Sequence, residues 1–414
     1  MCREPWRRNE RAVLSQTPKW RWLPDGGSWQ SGKAWPRRFL RCVGLLALCG
    51  SAASVSGAEI PLEKFGTGLQ YTNDWVRAVP WSIHVLRIDR SRTNFELVTT
   101  LGQNKVLGLS TLTEQLRTIP AERGRPLAAI NGDFYREHGP YTGDPRGAQI
   151  LQGELVSAPD GKACFWIDAE GIPHIGNPIS QLHVTWPAGE VTPCGLNEER
   201  RPNAAVLYTP RFGSSTRTTG GSELILEWTG QGAWLPLRAG LTYAARVRAV
   251  RETGNTRLNS ETLVLSLGPS LAGRVPEVAP GSVLEVSMAI SPDLSGAATA
   301  LGGGPLLVHE GKPQPVRDHR SNERHPRAAI GWNSKCYFFI AVDGRQPGLS
   351  MGMTLQELAA YLARSGCEEA MNLDGGGSVE LWLWGIIVNS PCFGRERDTA
   401  NALVLLQTRK ASPP

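Results

Sequence analysis

The stretch that decides the fold lies between residues 335 and 378, where two strand-like runs each end in an acidic loop. The first run reads KCYFFIAVDGR over 335–345, and the second reads EAMNLDGGGS over 369–378. A strand–helix–strand unit of this size normally forms a right-handed crossover between parallel strands. We therefore predict an α/β (α+β) fold with a mixed sheet, in which Asp343 and Asp374 emerge at one edge, where open sheets place ligands.

The segment that joins the two runs carries the signals of an α-helix. Thr354 and Glu357 have the spacing of a capping box, and Gly366 suits the end of a helix. The apolar residues recur with the period of one helix face, namely Leu355, Leu358, Ala359 and Leu362. A helix with one buried face is what the predicted crossover requires.

The formal net charge of +6 over 414 residues is concentrated in the N-terminal part of the chain. Residues 1–58 hold ten Lys and Arg against three Asp and Glu, which leaves 34 basic and 35 acidic residues in the rest. A body that is close to neutral gives little reason to expect nucleic acid or an anionic membrane surface as a partner. Neither is therefore expected as a partner.

Residues 1–58 are predicted to be a leader with a signal peptide. A charged stretch at 37–41 precedes an apolar run from Cys42 to Cys49, and small residues continue to Ala58. The alternative is an interior core helix. The signal-peptide interpretation predicts a secreted or periplasmic protein, and no other stretch is long and apolar enough to span a bilayer.

The cysteines outside the leader number five, and none of them forms a C-x-x-C pair. A cysteine-based zinc site is therefore not expected, and no other motif calls for a metal or a cofactor. Export permits disulfides, and Cys336 and Cys367 flank the crossover. That they are simply small buried residues is at least as good an interpretation.

The rest of the chain divides into a core with an insertion. Residues 59–125 are predicted to be a β-rich segment that packs on the core, and residues 126–408 are predicted to form the core domain. Within the core, the block at about 150–300 consists of short strands separated by turn residues, which predicts an inserted β-rich lobe. Residues 409–414 are predicted to be a tail.

A third acidic loop follows a short apolar strand that ends at Ile130. This loop contains Asn131 and Asp133. Together the three loops supply three candidate catalytic carboxylates: Asp133, Asp343 and Asp374. Which of them acts as nucleophile, acid or base is left open by the sequence.

Two glycine triplets and two arginines are candidate groups for binding an anion. Successive glycine N–H groups can form an anion-binding nest, although tight turns alone also explain such triplets. A guanidinium grips phosphate with two hydrogen bonds, although a surface ion pair is the ordinary alternative. The predicted substrate-binding residues are Asn131, Gly302, Gly303, Gly304, Arg327, Arg345, Asn372, Gly375, Gly376, Gly377 and Ser378.

The motifs that carry these residues resemble, in their order, those of the phosphodiester glycosidase family. The segment NGDFY at 131–135 is followed by GGGP at 302–305, HPRAAIG at 325–331, VDGR at 342–345 and NLDGGGS at 372–378. The resemblance covers roughly residues 126–406, with the β-rich block interrupting it. It implies hydrolysis of the sugar–phosphate bond of a sugar-1-phosphodiester in a glycoconjugate or exopolysaccharide.

The residue types are suited to that chemistry. Glycosidases usually place two carboxyl groups around the anomeric carbon. A phosphate leaving group needs neutralisation of its charge more than it needs a strong acid, which favours arginines and glycine amides. The alternative function is a non-catalytic glycan- or anion-binding protein of exopolysaccharide assembly or export, which would use the same glycine loops and arginines.

Overall fold

The computed structural model describes residues 68–230, 234–261, 263–316 and 322–408. The predicted leader with its signal peptide lies outside the described residues, as do the start of the N-terminal segment at 59–67 and the tail at 409–414.

The described residues form 26 strands and two α-helices. The N-terminal elements are β1 (Leu69–Val76), β2 (Trp81–Asp89), β3 (Phe95–Leu101), α1 (Leu112–Arg117), β4 (Arg125–Asn131), β5 (Gln149–Leu151), β6 (Glu154–Ser157), β7 (Cys164–Ile167), β8 (Pro173–Gly176) and β9 (Ile179–Ser180). The middle elements are β10 (His183–Thr185), β11 (Val191–Leu196), β12 (Ala205–Tyr208), β13 (Ser222–Trp228), β14 (Thr242–Arg251), β15 (Leu263–Leu267), β16 (Val283–Ser287) and β17 (Ile290–Ser291). The C-terminal elements are β18 (Thr299–Gly302), β19 (Leu306–His309), β20 (Lys312–Pro313), β21 (Arg327–Trp332), β22 (Cys336–Val342), α2 (Leu355–Arg364), β23 (Glu369–Asn372), β24 (Leu381–Leu383), β25 (Ile386–Ile387) and β26 (Asn401–Gln407).

The prediction of an α/β fold is wrong, because the described chain is mostly β-structure with only two α-helices. Helix α2 does join β22 to β23, and it has the predicted capping box of Thr354 and Glu357. However, β21 lies between these two strands and pairs antiparallel with both. The strands therefore run in the same direction without touching, and the sheet is not the parallel sheet that a crossover normally builds.

Two sheets stack face to face at the centre of the described unit. The main sheet has the order β1-β2-β22-β21-β23-β19-β20, and the second has the order β25-β24-β4-β26-β3. Ile330 and Phe339 from the main sheet share a buried cluster with Ile130 and Leu403 from the second. Burial of this shared apolar face is the main force that holds the two sheets together.

A helix covers the outer face of each of these sheets. Leu358 and Leu362 of α2 pack with Ile340 on the outer side of the main sheet. Leu112 and Leu116 of α1 pack on the outer side of the second sheet. The central architecture is therefore four layers deep, with a sheet pair between two helices.

Seven strands close into a barrel with the order β10-β11-β12-β15-β13-β14-β16. Strand β14 alternates buried and exposed positions along its first half, with Tyr243, Ala245 and Val247 directed inward. All the barrel strands lie between residues 183 and 287, inside the block that the turn residues mark as β-rich. A further sheet has the order β6-β5-β18-β7-β8. Four of its strands come before the barrel in the chain, and β18 comes after it.

Within the described part of the chain, no helix reaches the length and apolarity that crossing a membrane requires. The five cysteines described are all free thiols, and Cys336 and Cys367 are not bonded to each other.

Candidate active site

A cavity of about 530 Å³ opens where β4 and β23 end. Its wall includes the loops that follow these two strands, the turn that follows β22 and the loop that precedes β26. The charged side chains that line it are four arginines and two carboxylates: Arg146, Arg327, Arg345, Arg397, Glu137 and Asp374. The excess of arginines gives the cavity a positive potential that suits an anionic ligand.

Asp374 is the half-buried carboxylate of this cavity. Its Oδ1 accepts a hydrogen bond of 2.9 Å from the N–H of Gly375, and its own N–H donates to the carbonyl of Gly132 at 2.9 Å. Burial raises the pKa of Asp374 to about 6, while the Ser378 side chain and the Gly375 amide act in the opposite direction. A carboxyl group with this pKa changes its charge close to neutral pH, and carboxyl groups with perturbed pKa values are frequent at functional sites.

Asp133 lies behind the cavity wall rather than on it. The residue is 4% exposed, and its Oδ2 accepts a hydrogen bond of 2.7 Å from the N–H of Gly147. Burial raises the pKa of Asp133 to about 7, and the nearby charge of Asp374 adds to the rise. The structure thus brings Asp133 and Asp374 into electrostatic contact, with only Asp374 lining the cavity.

Asp343 does not line the cavity. Its carboxylate is 2% exposed and accepts hydrogen bonds from side chains on β2, from Ser82 Oγ at 2.9 Å and from His84 Nε2 at 2.9 Å. Its other oxygen accepts from Asn389 Nδ2 at 3.2 Å and from the N–H of Ser390 at 2.8 Å. Four donors saturate this carboxylate, so the geometry gives it a holding role between chain segments.

The two predicted asparagines differ in what their side chains contact. Asn131 donates to the carbonyl of Asp374 at 2.8 Å and accepts from the N–H of Glu380 at 3.1 Å, so both ends of its amide hold the backbone. Asn372 lines the cavity and donates to the carbonyl of Gly304 at 2.9 Å. Its Oδ1 is buried without a hydrogen-bond partner among the described residues.

Only part of the two glycine triplets faces the cavity. Gly304 and the whole triplet at 375–377 line it, whereas Gly302 and Gly303 do not. A Cβ at Gly302 would lie 2.5 Å from Asp133 Oδ2, so this glycine permits close packing of the carboxyl group. Gly376 has a φ of +63°, a conformation that favours glycine.

Ser378 is fully buried beneath the arginine wall. Its hydroxyl accepts a hydrogen bond of 3.3 Å from Arg397 Nη1 and also interacts with the carboxyl group of Asp374. The structure therefore places Ser378 behind the cavity, where it orients the charged groups that line it.

The two predicted arginines both reach the cavity but are held differently. Arg327 donates from Nε to the carbonyl of Met353 at 2.9 Å and from Nη2 to the carbonyl of Glu323 at 2.9 Å. Arg345 contacts His325 Nδ1 at 3.3 Å, and none of the described carboxylates forms an ion pair with it. The guanidinium of Arg345 is therefore the better placed of the two for an incoming anion.

Sequence reasoning missed several residues of the cavity. Tyr135 is the last residue of the motif NGDFY, and the guanidinium of Arg397 lies 5.6 Å from the centre of its ring. Glu137, which pairs with Arg397 at 3.4 Å, and Arg146 belong to an irregular loop that carries no strand-end signal. Phe393 also has no local signal, because a lone aromatic residue in a loop is common.

No group of three or more His, Cys, Asp or Glu side chains is arranged to hold a metal ion among the described residues.

Comparison with a family model identifies the C-terminal part of the chain. Residues 240–406 match the phosphodiester glycosidase family. The resemblance read from the motifs is thereby confirmed over this segment, which includes Arg327, Arg345 and Asp374. The match supports a hydrolase of the phosphodiester glycosidase type.

Among curated proteins, the chain is similar to the SPbeta prophage-derived uncharacterized protein YomE of Bacillus subtilis (strain 168). The two are 33% identical over 114 residues, which is 27% of this chain and 18% of that protein. The chain therefore spans less than a fifth of the length of this curated relative.

Solved structures share the fold. A hypothetical protein from Synechocystis aligns with a TM-score of 0.66 at 20% identity, covering 82% of this chain and 62% of that one. A protein from Burkholderia pseudomallei K96243 aligns with a TM-score of 0.61 at 24% identity, covering 79% and 74%. The zebrafish N-acetylglucosamine-1-phosphodiester alpha-N-acetylglucosaminidase catalytic domain aligns with a TM-score of only 0.43 at 14% identity, covering 82% of each chain, which supports no conclusion.

Proposed function

We propose that this protein is an exported glycosidase that hydrolyses the sugar–phosphate bond of a sugar-1-phosphodiester in a glycoconjugate or exopolysaccharide. The observation that carries the proposal is the single cavity wall that combines the half-buried carboxyl of Asp374 with the guanidinium of Arg345 and the triplet at 375–377. A carboxylate beside an anion-binding surface is the pairing that cleavage of a sugar–phosphate bond needs.

In the proposed reaction, water adds across the bond between the anomeric carbon and the phosphate oxygen. That bond breaks, its electron pair leaves with the phosphate oxygen, and the products are a free sugar and a phosphomonoester. Asp374 acts at the anomeric carbon, either as the nucleophile or as the base that takes a proton from water. Asn372 lines the same cavity, and its bond to the carbonyl of Gly304 fixes the cavity wall beside the sugar.

The phosphate is assigned to the arginine side of the cavity. Arg345 neutralises the charge that grows on the leaving oxygen, and the amides of the triplet at 375–377 donate to the other phosphate oxygens. Arg327 anchors the neighbouring segments through its bonds to the carbonyls of Glu323 and Met353 while its side chain lines the same cavity. Asp133 and Asp343 support the site from behind.

Export is part of the proposal and rests on the leader predicted at 1–58. The Burkholderia pseudomallei protein that shares the fold is named as an exported protein, which agrees with this assignment. The mature chain is expected to begin near Glu59. N-terminal sequencing of the exported protein checks this, and a mature protein that retains the segment rich in tryptophan would contradict it.

The test of the activity is a screen of diesters in which different sugar-1-phosphates carry the same methyl ester. The expected result is the release of free sugar from at least one diester, with the methyl phosphomonoester as co-product. Binding of the diesters without release of sugar would favour the non-catalytic glycan- or anion-binding function instead. Release of methanol rather than sugar would show cleavage on the wrong side of the phosphorus.

A further inference from the structure

One exposed aromatic ring stands at the mouth of the cavity. Phe393 lines the cavity, yet 61% of its surface is exposed to solvent. Two other aromatic residues of the cavity, Phe134 and Tyr135, are less accessible, since Phe134 is half-buried and Tyr135 is 4% exposed. A single exposed apolar side chain is ordinary on a protein surface, so the position of this ring in the cavity wall, rather than its exposure, is the informative feature.

The ring of Phe393 lies directly over the glycine triplet. A Cβ added to Gly377 would come within 2.2 Å of the ring carbon Cε2 of Phe393. A Cβ added to the adjacent Gly376 would lie 3.2 Å from Arg345 Nη2. An apolar plate and a cationic anion site therefore border the same short backbone segment.

The loop that carries Phe393 is fastened on both sides of the ring. Before it, the N–H of Ser390 donates to Asp343 Oδ1 at 2.8 Å, and the carbonyl of Ser390 accepts from Gln346 Nε2 at 2.8 Å. A turn closes around the ring, with the N–H of Gly394 donating to the carbonyl of Pro391 at 2.8 Å. After it, the N–H of Arg397 donates to Glu380 Oε1 at 2.6 Å. The ring is thus presented at a defined place rather than on a loose loop.

We propose that Phe393 is a substrate-contacting, specificity-determining residue that stacks on the C–H face of the sugar ring while Arg345 holds the phosphate. The inference deepens the proposed function, on which it rests. A sugar-1-phosphodiester combines a face of C–H groups with an adjacent phosphate anion, and this matches an apolar ring beside a guanidinium. Phe393 then selects pyranoses whose C–H groups form a continuous apolar face.

The first test compares the binding of two ligands by calorimetry, inorganic phosphate and a panel of hexose-1-phosphates that includes the glucose and N-acetylglucosamine forms. Phe393→Ala should weaken the binding of the best hexose-1-phosphate about three- to tenfold, because it removes the stacking but not the anion site. Phosphate affinity should stay unchanged, and Phe393→Trp should retain the hexose-1-phosphate affinity. In the wild type, NMR saturation transfer should reach the ring C–H protons of the sugar, and this signal should disappear in Phe393→Ala.

The controls are Trp384→Ala and Ile386→Ala, which remove exposed apolar side chains outside the cavity and should alter neither affinity. Equal weakening of phosphate and hexose-1-phosphate in Phe393→Ala would overturn the inference, because it would indicate a structural role for the loop. Failure of every hexose-1-phosphate to bind more tightly than phosphate in the wild type would overturn it as well.

The two levels of the proposal fail separately. If the hexose-1-phosphates show the expected dependence on Phe393 but no diester is hydrolysed, the stacking inference stands and the catalytic function is wrong. If a diester is hydrolysed, Phe393→Ala should raise KM about three- to tenfold with kcat little changed, since stacking contributes to the ground state and the transition state alike. A fall in kcat at constant KM would contradict the stacking role.

Discussion

Asp374 and Asp343 stand in loops that look alike in sequence, yet the structure gives them opposite surroundings. Each aspartate precedes a glycine and follows an apolar strand. Asp374 lines a cavity and is half-buried, with its Oδ1 bonded to the next amide. Asp343 is buried and accepts hydrogen bonds from four protein donors.

The comparison shows how differently the protein surrounds two carboxylates at the same kind of strand end. Burial raises the pKa of Asp374 to about 6, because its protein donors only partly compensate for lost solvent. Each oxygen of the Asp343 carboxylate accepts hydrogen bonds from two protein donors. The number of protein donors, rather than the Asp-Gly motif, therefore distinguishes the carboxylate of Asp374 from that of Asp343.

The largest effect is expected from Asp374→Asn. Asparagine keeps the volume but cannot act as nucleophile or base, so sugar release should fall at least about 1,000-fold. Circular dichroism and thermal melting of the same sample should match the wild type. Wild-type turnover in this variant would remove Asp374 from the mechanism and erase its contrast with Asp343.

A smaller loss is expected from Arg345→Ala, and it should depend on the substrate. Removing a guanidinium that meets the phosphate should slow cleavage of phosphodiesters about 30- to 1,000-fold. A neutral aryl glycoside of the same sugar, if the enzyme cleaves it, should lose much less. Arg327→Ala should slow both substrates similarly, because Arg327 also holds the carbonyls of Glu323 and Met353. The reverse pattern would assign the phosphate to Arg327.

Asp343→Ala should act mainly on stability. The change removes the carboxylate that accepts hydrogen bonds from Ser82, His84 and Asn389, which should lower the free energy of unfolding by about 2 to 4 kcal/mol. Urea denaturation measures this loss. Turnover per folded molecule should stay within about tenfold of the wild type. This loss is smaller than the one expected from Asp374→Asn. A loss as large as that of Asp374→Asn in a well-folded sample would make Asp343 catalytic.

The smallest effect is expected at Asp133, and it should depend on pH. The raised pKa of about 7 means that the native state keeps a proton that the unfolded chain releases near the ordinary value of 3.8. Native stability should therefore fall as pH rises from about 4 to about 7. Asp133→Asn should make this fall shallower, a relative gain of up to about 2 to 4 kcal/mol at pH 8 compared with pH 4, measured by urea denaturation. The raised pKa values of Asp374, Asp144 and Glu380 account for the slope that remains.

The control for this pH series is Glu252→Gln, which changes an exposed carboxylate and should leave the dependence as in the wild type. An unchanged slope in Asp133→Asn would show that the carboxyl of Asp133 ionises with an ordinary pKa, so that its burial does not perturb it.

Local signals predicted some elements of this protein well, because their causes are local. The capping box of Thr354 and Glu357, the apolar face of α2 and the strands on either side of it all appear as the sequence indicates. The prediction of an α/β fold was wrong for a physical reason. The crossover rule assumes that the joined strands become neighbours. Here β21, the strand immediately before β22 in the chain, forms an antiparallel hairpin with β22 and lies between β22 and β23.

The sequence by itself determined which residue types stand at the ends of β4, β22 and β23, and the ordered motifs that link the chain to the phosphodiester glycosidase family. Only the tertiary structure decided which of these residues line the cavity. The side chain of Asp343 finds donors on β2 and in the loop before β26, segments 259 and 46 positions away. Phe393 and Arg146 reach the cavity through loops without a periodic pattern. Contacts between segments so far apart depend on how the sheets pack, and no local pattern records that packing.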